Sequence, residues 1–138
     1  MQPQRDIEKI IADTLDCGFA IHERFGPGLL ESAYEKLLVQ LPTKRGYHTE
    51  QQRPIRLCFD DIAIEDAYRV DLLVEGRLIV ELKSVEKLAP VHSKQVLTYL
   101  RITGLPVGLL LNFGEYLFKN GIRRIINNQS EYVAPRKK

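Results

Sequence analysis

Two apolar runs, Val70 to Val74 and Leu78-Ile79-Val80, are separated only by Glu75-Gly76-Arg77. Runs that are apolar at consecutive positions read as strands buried on both faces. A spacer this short joins them as a hairpin. Charges sit inside that hairpin: Asp71 interrupts the first run, and Glu81-Leu82-Lys83 closes the second. Such charges are costly to desolvate unless they pair or bind an ion. Two carboxylates and an ammonium at one end of a hairpin could hold a divalent cation beside an activated water. The oxygen pair suits Mg²⁺, a hard cation that keeps several waters, with Mn²⁺ as its substitute. A metal there polarises a phosphoryl oxygen and lowers the pKa of a bound water. Lys83 would orient the nucleophile or offset transition-state charge. The plainer alternative is a salt bridge on a sheet face.

Register separates the two readings. Glu81 and Lys83 share a face because strand side chains alternate. A two-residue turn at Glu75-Gly76 would set Val74 against Arg77 and Asp71 against Val80, which parts the carboxylates. The metal reading requires an odd-length turn or a bulge near Gly76, or a splay of the strands at the carboxylates.

The rest of the chain supplies elements around this hairpin. Ile7, Ile10, Ile11, Leu15 and Phe19 recur at helical spacing and predict a helix over residues 4–24. Gly26-Pro27-Gly28 breaks it. A second helix is expected from about Leu29 to Leu41, with Leu30, Tyr34, Leu37 and Leu38 inward and Pro42 through Gly46 ending it. Tyr47 to Phe59 reads as strand, with Ile55, Leu57 and Phe59 alternating, and Asp60-Asp61 as a turn. Residues 62–74 form the next strand, kinked at Glu65-Asp66, and residues 77–85 the third. Ala89-Pro90 starts a helix that carries Val91, Gln95, Val96, Tyr99, Leu100 and Ile102 and ends at Gly104. Val107 to Phe113 is expected as a central strand, and Leu117 to Asn127 as a last strand or hairpin. The order α-α-β-β-β-α-β-β gives an α/β (mixed α+β) fold with a mixed central sheet flanked by helices.

With 138 residues the chain is expected to form one domain, with a core over about 7–127 and a polar basic tail over 128–138. The net charge of +2 announces no polyanion partner by itself. Local basic clusters remain at Arg53 with Arg56, Lys83 with Lys87, Arg123-Arg124 and Arg136-Lys137-Lys138. Cys17 and Cys58 lack metal-ligand spacing and a disulfide framework, so a cytoplasmic location is expected. No apolar run approaches the roughly 20 residues needed to span a bilayer, so no membrane partner is expected.

Three motifs in order resemble the PD-(D/E)XK nuclease superfamily. Asp71 followed by Glu81-Leu82-Lys83 is similar to its strand-borne signature. Gln95-Val96-Leu97-Thr98-Tyr99 resembles the Q-x-x-x-Y element of the RecB-like branch. Gly28-Leu29-Leu30-Glu31-Ser32-Ala33-Tyr34 resembles the signature of the GxxExxY family within it. Arg69 to Val74 and Gly108 to Gly114 also look like that family, and the resemblance spans roughly residues 7 to 127. It implies a restriction-endonuclease-like core. It also implies that Asp71 and Glu81 bind the metal with the Leu82 carbonyl, and that Lys83 is the catalytic lysine. Glu31 would complete the acidic cluster directly or through water. Gln95 and Tyr99 would contact substrate or orient the lysine, and Tyr34 stands with them as a substrate-side residue.

The residues alone admit quieter roles. Glu31 is also a first-turn acid, favourable at a helix N-terminus. Gln95 and Tyr99, four apart on one face, also suit a polar seam between helix and sheet. His92 reads as a helix-start residue, and His22 and His48 carry no motif. Tyr47, Tyr68 and Phe113 are candidates for base stacking or for the core. Three functions follow: a Mg²⁺-dependent phosphodiesterase acting on nucleic acid, DNA favoured over RNA; a non-catalytic nucleic-acid or protein-binding module on the same fold; and a homo-oligomeric structural protein. A minimal nuclease domain could also work as a homodimer to reach both strands of a duplex.

Overall fold

A computed structural model describes residues 6–128. Residue 4, where the first helix is expected to begin, and the basic tail from residue 129 onward lie outside the described residues. The elements are α1 (Ile7–Phe25), α2 (Glu31–Lys44), β1 (Thr49–Phe59), β2 (Ile62–Val74), β3 (Leu78–Lys83), α3 (Pro90–Thr103), β4 (Val107–Asn112) and β5 (Ile122–Ile126). Their order is the expected one. The five strands form one sheet in the order β1-β2-β3-β4-β5. Only the β3–β4 pair is parallel, because α3 crosses over between them.

Helices cover both faces. Ile10 and Ile11 of α1 and Tyr34 and Leu38 of α2 pack against Leu72, Leu78, Val80, Leu82, Leu109 and Leu111. Val96, Tyr99 and Leu100 of α3 pack on the other side against Ile55, Val70, Ile79 and Leu110. β3 and β4 are therefore covered twice, which is why their sequences are apolar almost throughout. Each fully buried aliphatic side chain contributes about 1.5–3 kcal/mol. Gly108 lets α3 approach: a Cβ there would lie 2.9 Å from Val96 Cγ1 and 3.3 Å from the Ile79 carbonyl.

Several expectations are corrected. α2 runs past Leu41 to Lys44, ending within the Pro42–Gly46 segment expected to stop it; Pro42 lies inside the helix and is buried on the same side as Leu38. Its carbonyl, one of the last in the helix, accepts from Arg45 N and Tyr47 N at 3.0 and 3.1 Å, which satisfies a group that helix ends leave open. Leu30, expected inward, precedes the helix and is 77% exposed. Val91 is likewise exposed on the first turn of α3. Phe59 alternates correctly with Ile55 yet is exposed, because β3 pairs with β2 only at Leu72, Leu73 and Val74 and the β1–β2 hairpin outgrows the core. Residues 117–127 form a short 3₁₀ turn (Phe118–Gly121) and a single strand. β4 is an interior strand, but the middle of the sheet is β3. The kink expected at Glu65-Asp66 is present: pairing shifts between Ile55↔Tyr68 and Leu57↔Ile64, and Asp66 has φ 56°.

Candidate metal centre

The turn joining β2 to β3 has three residues, Glu75, Gly76 and Arg77, between the paired Val74 and Leu78. Glu75 (φ 55°) and Gly76 (φ 64°) take left-handed conformations, and Arg77 N donates to Val74 O at 3.0 Å. Leu73 then faces Ile79 and Leu72 faces Val80. Continued one step, this odd-length register sets Asp71 against Glu81, as the metal reading requires.

Backbone pairing stops at that step, and the carboxylates replace it. Asp71 N donates to Glu81 Oε1 at 3.0 Å, and Leu82 N donates to Asp71 Oδ2 at 2.9 Å. Both the odd turn and the splay are therefore present. In an extended residue the N–H and C=O point to the same side. The Leu82 N–H faces Asp71, so its carbonyl faces the same gap, while the Lys83 carbonyl faces β4 and accepts from Phe113 N at 2.8 Å.

The pair is electrostatically strained. Glu81 is only 6% exposed. Burial first, then the neighbouring Asp71 charge and its side-chain hydrogen bond, push the Glu81 carboxyl up to about 9, against weaker opposing effects of the hydrogen bond from Asp71 N and of Lys83. The Glu81 carboxyl therefore keeps its proton at neutral pH unless a cation replaces it. An all-oxygen donor set of two carboxylates and a carbonyl fits a hard divalent ion. Among the described residues no group of three His, Cys, Asp or Glu side chains is already gathered at ligating distance.

Glu31, expected to complete the cluster directly or through water, is the first residue of α2 and exposed, which is also the position of the first-turn acid of the plainer reading. Partial burial and the charges of Asp71 and Glu35 raise its pKa, while Lys83 lowers it, so it faces the same charges. The segment before α2 is fixed by Tyr34, whose hydroxyl donates to the Gly26 carbonyl and accepts from Leu29 N at 3.0 Å. Leu29 O in turn accepts from Ser84 Oγ at 3.4 Å, which ties this segment to the residue after Lys83. Tyr34 itself is fully buried and stacked on Phe113, with centroids 4.4 Å apart. It does not fit the substrate-side role; its part is to hold the loop that presents Glu31.

From the other face, α3 brings Tyr99 to the pair. Tyr99 is 4% exposed; burial and the Glu81 charge raise its phenol pKa, and a hydrogen bond with Gln95 lowers it. Gln95 is exposed one turn earlier. Asn112, fully buried at the end of β4, fixes the chain leaving Lys83: its Oδ1 accepts from Val85 N and its Nδ2 donates to Val85 O, at 3.0 and 2.9 Å. His92 serves as a helix-start residue, accepting from Ala89 N at 3.1 Å. Of the three stacking candidates, Tyr47 bonds to Asp13 and is buried, and Phe113 is in the core; Tyr68 is 40% exposed, 5.5 Å from the Tyr99 ring.

Two residues of the site escape the sequence reading. Glu35, 9% exposed, accepts from Gln52 Nε2 at 3.0 and 3.1 Å and from Gln51 Nε2. Gln52 Nε2 also donates to Asp71 Oδ1 at 3.2 Å. Glu35 was within reach, since it lies one helical turn after Glu31. Gln52 was not, because its place depends on how β1 bends.

The model of the PD-(D/E)XK nuclease superfamily matches residues 8–125. No curated protein and no solved structure matches the chain significantly.

Proposed function

The chain belongs to the PD-(D/E)XK nuclease superfamily, and on that premise we propose that it is a Mg²⁺-dependent nuclease that hydrolyses phosphodiester bonds, DNA being favoured over RNA. The observation that carries the reading is the Asp71–Glu81 pair, half-buried Asp71 and buried Glu81, held by hydrogen bonds from Asp71 N to Glu81 Oε1 and from Leu82 N to Asp71 Oδ2. A divalent ion held by Asp71, Glu81 and the Leu82 carbonyl would polarise the phosphoryl group and acidify a water. Lys83, half-buried on the same strand face as Glu81, offsets charge developing on the phosphate. Glu31 accepts hydrogen bonds from water at the mouth. Tyr99 excludes solvent above Glu81, and exposed Gln95 is positioned to meet substrate. The Gly28–Glu31–Tyr34 and Gln95–Tyr99 spacings support a place in the GxxExxY family of the RecB-like branch. The free thiols of Cys17 and Cys58 fit a reducing cytoplasm.

The test is a nuclease assay on DNA and RNA with Mg²⁺ or Mn²⁺. We expect Asp71→Ala and Lys83→Ala each to lower cleavage by about 100-fold or more. Unchanged cleavage in both variants would overturn the assignment. Binding that persists in chelator, with no cleavage by the wild type, would favour the non-catalytic module.

A further inference from the structure

Gln52 stands out among the residues with unusual backbone. Four non-glycine residues among those described have positive φ: Gln52, Asp60, Asp66 and Glu75. Asp60 and Glu75 lie in turns, and Asp66 lies at the irregularity in β2. Gln52, at φ 53°, lies inside β1, where the count of residues does not change: Gln51 faces Leu72 and Arg53 faces Val70. Only the intervening Gln52–Asp71 pair is missing from the ladder. A left-handed conformation costs an L-residue roughly 1–2 kcal/mol. It persists where the surroundings impose it, and such strain gathers at functional sites.

What imposes it here is an amide shared between two acids. Gln52 Nε2 reaches both oxygens of Glu35 and Oδ1 of Asp71. Asp71 Oδ2 is held separately by Leu82 N. Each Asp71 oxygen thus has a donor fixing it, beside the hydrogen bond its carboxylate shares with Glu81. Both Glu35 oxygens, by contrast, already accept from glutamine amides. We propose that Glu35 and Gln52 form a positioning pair that sets the Asp71 carboxylate for the cation, with Glu35 orienting the amide and binding no metal itself. This rests on the metal reading of the Asp71–Glu81 pair.

The test uses Mn²⁺ binding followed by electron paramagnetic resonance, with thermal unfolding alongside. Gln52→Gly removes the amide and also relieves the backbone, since glycine takes φ 53° freely. We expect it to leave the melting temperature unchanged or higher while weakening Mn²⁺ about tenfold, as loss of a residue orienting a ligand does. Glu35→Gln should weaken Mn²⁺ to a similar extent. The double variant should be no weaker than the poorer single one, because both act through one amide. In metal-free crystals of Gln52→Gly, Asp71 should leave its rotamer while Glu81 keeps its own. Wild-type affinity in both single variants would overturn the positioning role alone. So would loss of binding in Glu35→Gln with none in Gln52→Gly, which would make Glu35 a ligand. Failure of the wild type to bind Mn²⁺ would overturn the metal reading and this role together.

Discussion

A buried carboxylate facing another carboxylate has a direct consequence for stability. The Glu81 carboxyl is pushed up to about 9 from an ordinary 4.5. A proton is therefore held more tightly in the fold than in the unfolded chain. The stabilisation this gives is complete below about pH 4.5 and is lost as pH rises through about 9. In metal-free protein, Glu81→Gln should be more stable than wild type by about 2–4 kcal/mol at pH 8, with the gap closing below pH 5. Chemical denaturation across that range checks it, and a constant gap would contradict the assignment. For the same reason divalent-ion affinity should rise with pH, since the cation displaces the proton. Tyr34 makes a contrasting case. Tyr34→Phe strands the Gly26 carbonyl and the Leu29 N–H, a loss of about 1–3 kcal/mol in unfolding measurements. Its effect on activity should follow only from how far Glu31 is displaced.

Between elements, the register of the β2–β3 hairpin sets the site. With Val74 against Leu78, Asp71 meets Glu81; a turn of Glu75-Gly76 alone, with Val74 against Arg77, would place it against Val80 and turn its carboxylate to the other face. Deleting Gly76 leaves Glu75 and Arg77 as the turn and keeps Val74 against Leu78, so Mn²⁺ binding should survive. Loss of binding while circular dichroism still reports helix and sheet would mean that the carboxylate pair is not set by this register. The β1–β2 hairpin shows the complementary rule. Its outer part has no third strand, so its alternating apolar residues, Phe59 and Ile62 among them, remain exposed.

On the scale of the whole molecule, the site joins parts from five elements on both sides of the sheet. α2 supplies Glu31 and Glu35, β1 supplies Gln52, β2 and β3 the acids and the lysine, and α3 supplies Tyr99. The seating of α3 depends on Gly108. Gly108→Val would press on Val96 and the Ile79 carbonyl, so we expect a loss of about 1–3 kcal/mol and a displaced Tyr99. The phenol titration of Tyr99, which Glu81 raises, should then move back toward its ordinary value, as ultraviolet difference spectra would record.

The order of the elements was legible in residue order alone, because buried strands and amphipathic helices leave different apolar periods and because Gly104 and Pro90 punctuate α3. The need for an odd hairpin turn also followed from the positions of Asp71 and Glu81. Other features depended on contacts made across long stretches of chain. Pro42 stayed in its helix because the core took its ring, and Tyr34 became a tie rather than a contact because Phe113 covered it. Glu35 and Gln52 joined the site only when a left-handed residue in β1 brought an amide between two acids. Local sequence encodes period and turn chemistry; which polar groups end up facing one another or sharing a donor is decided by packing at long range.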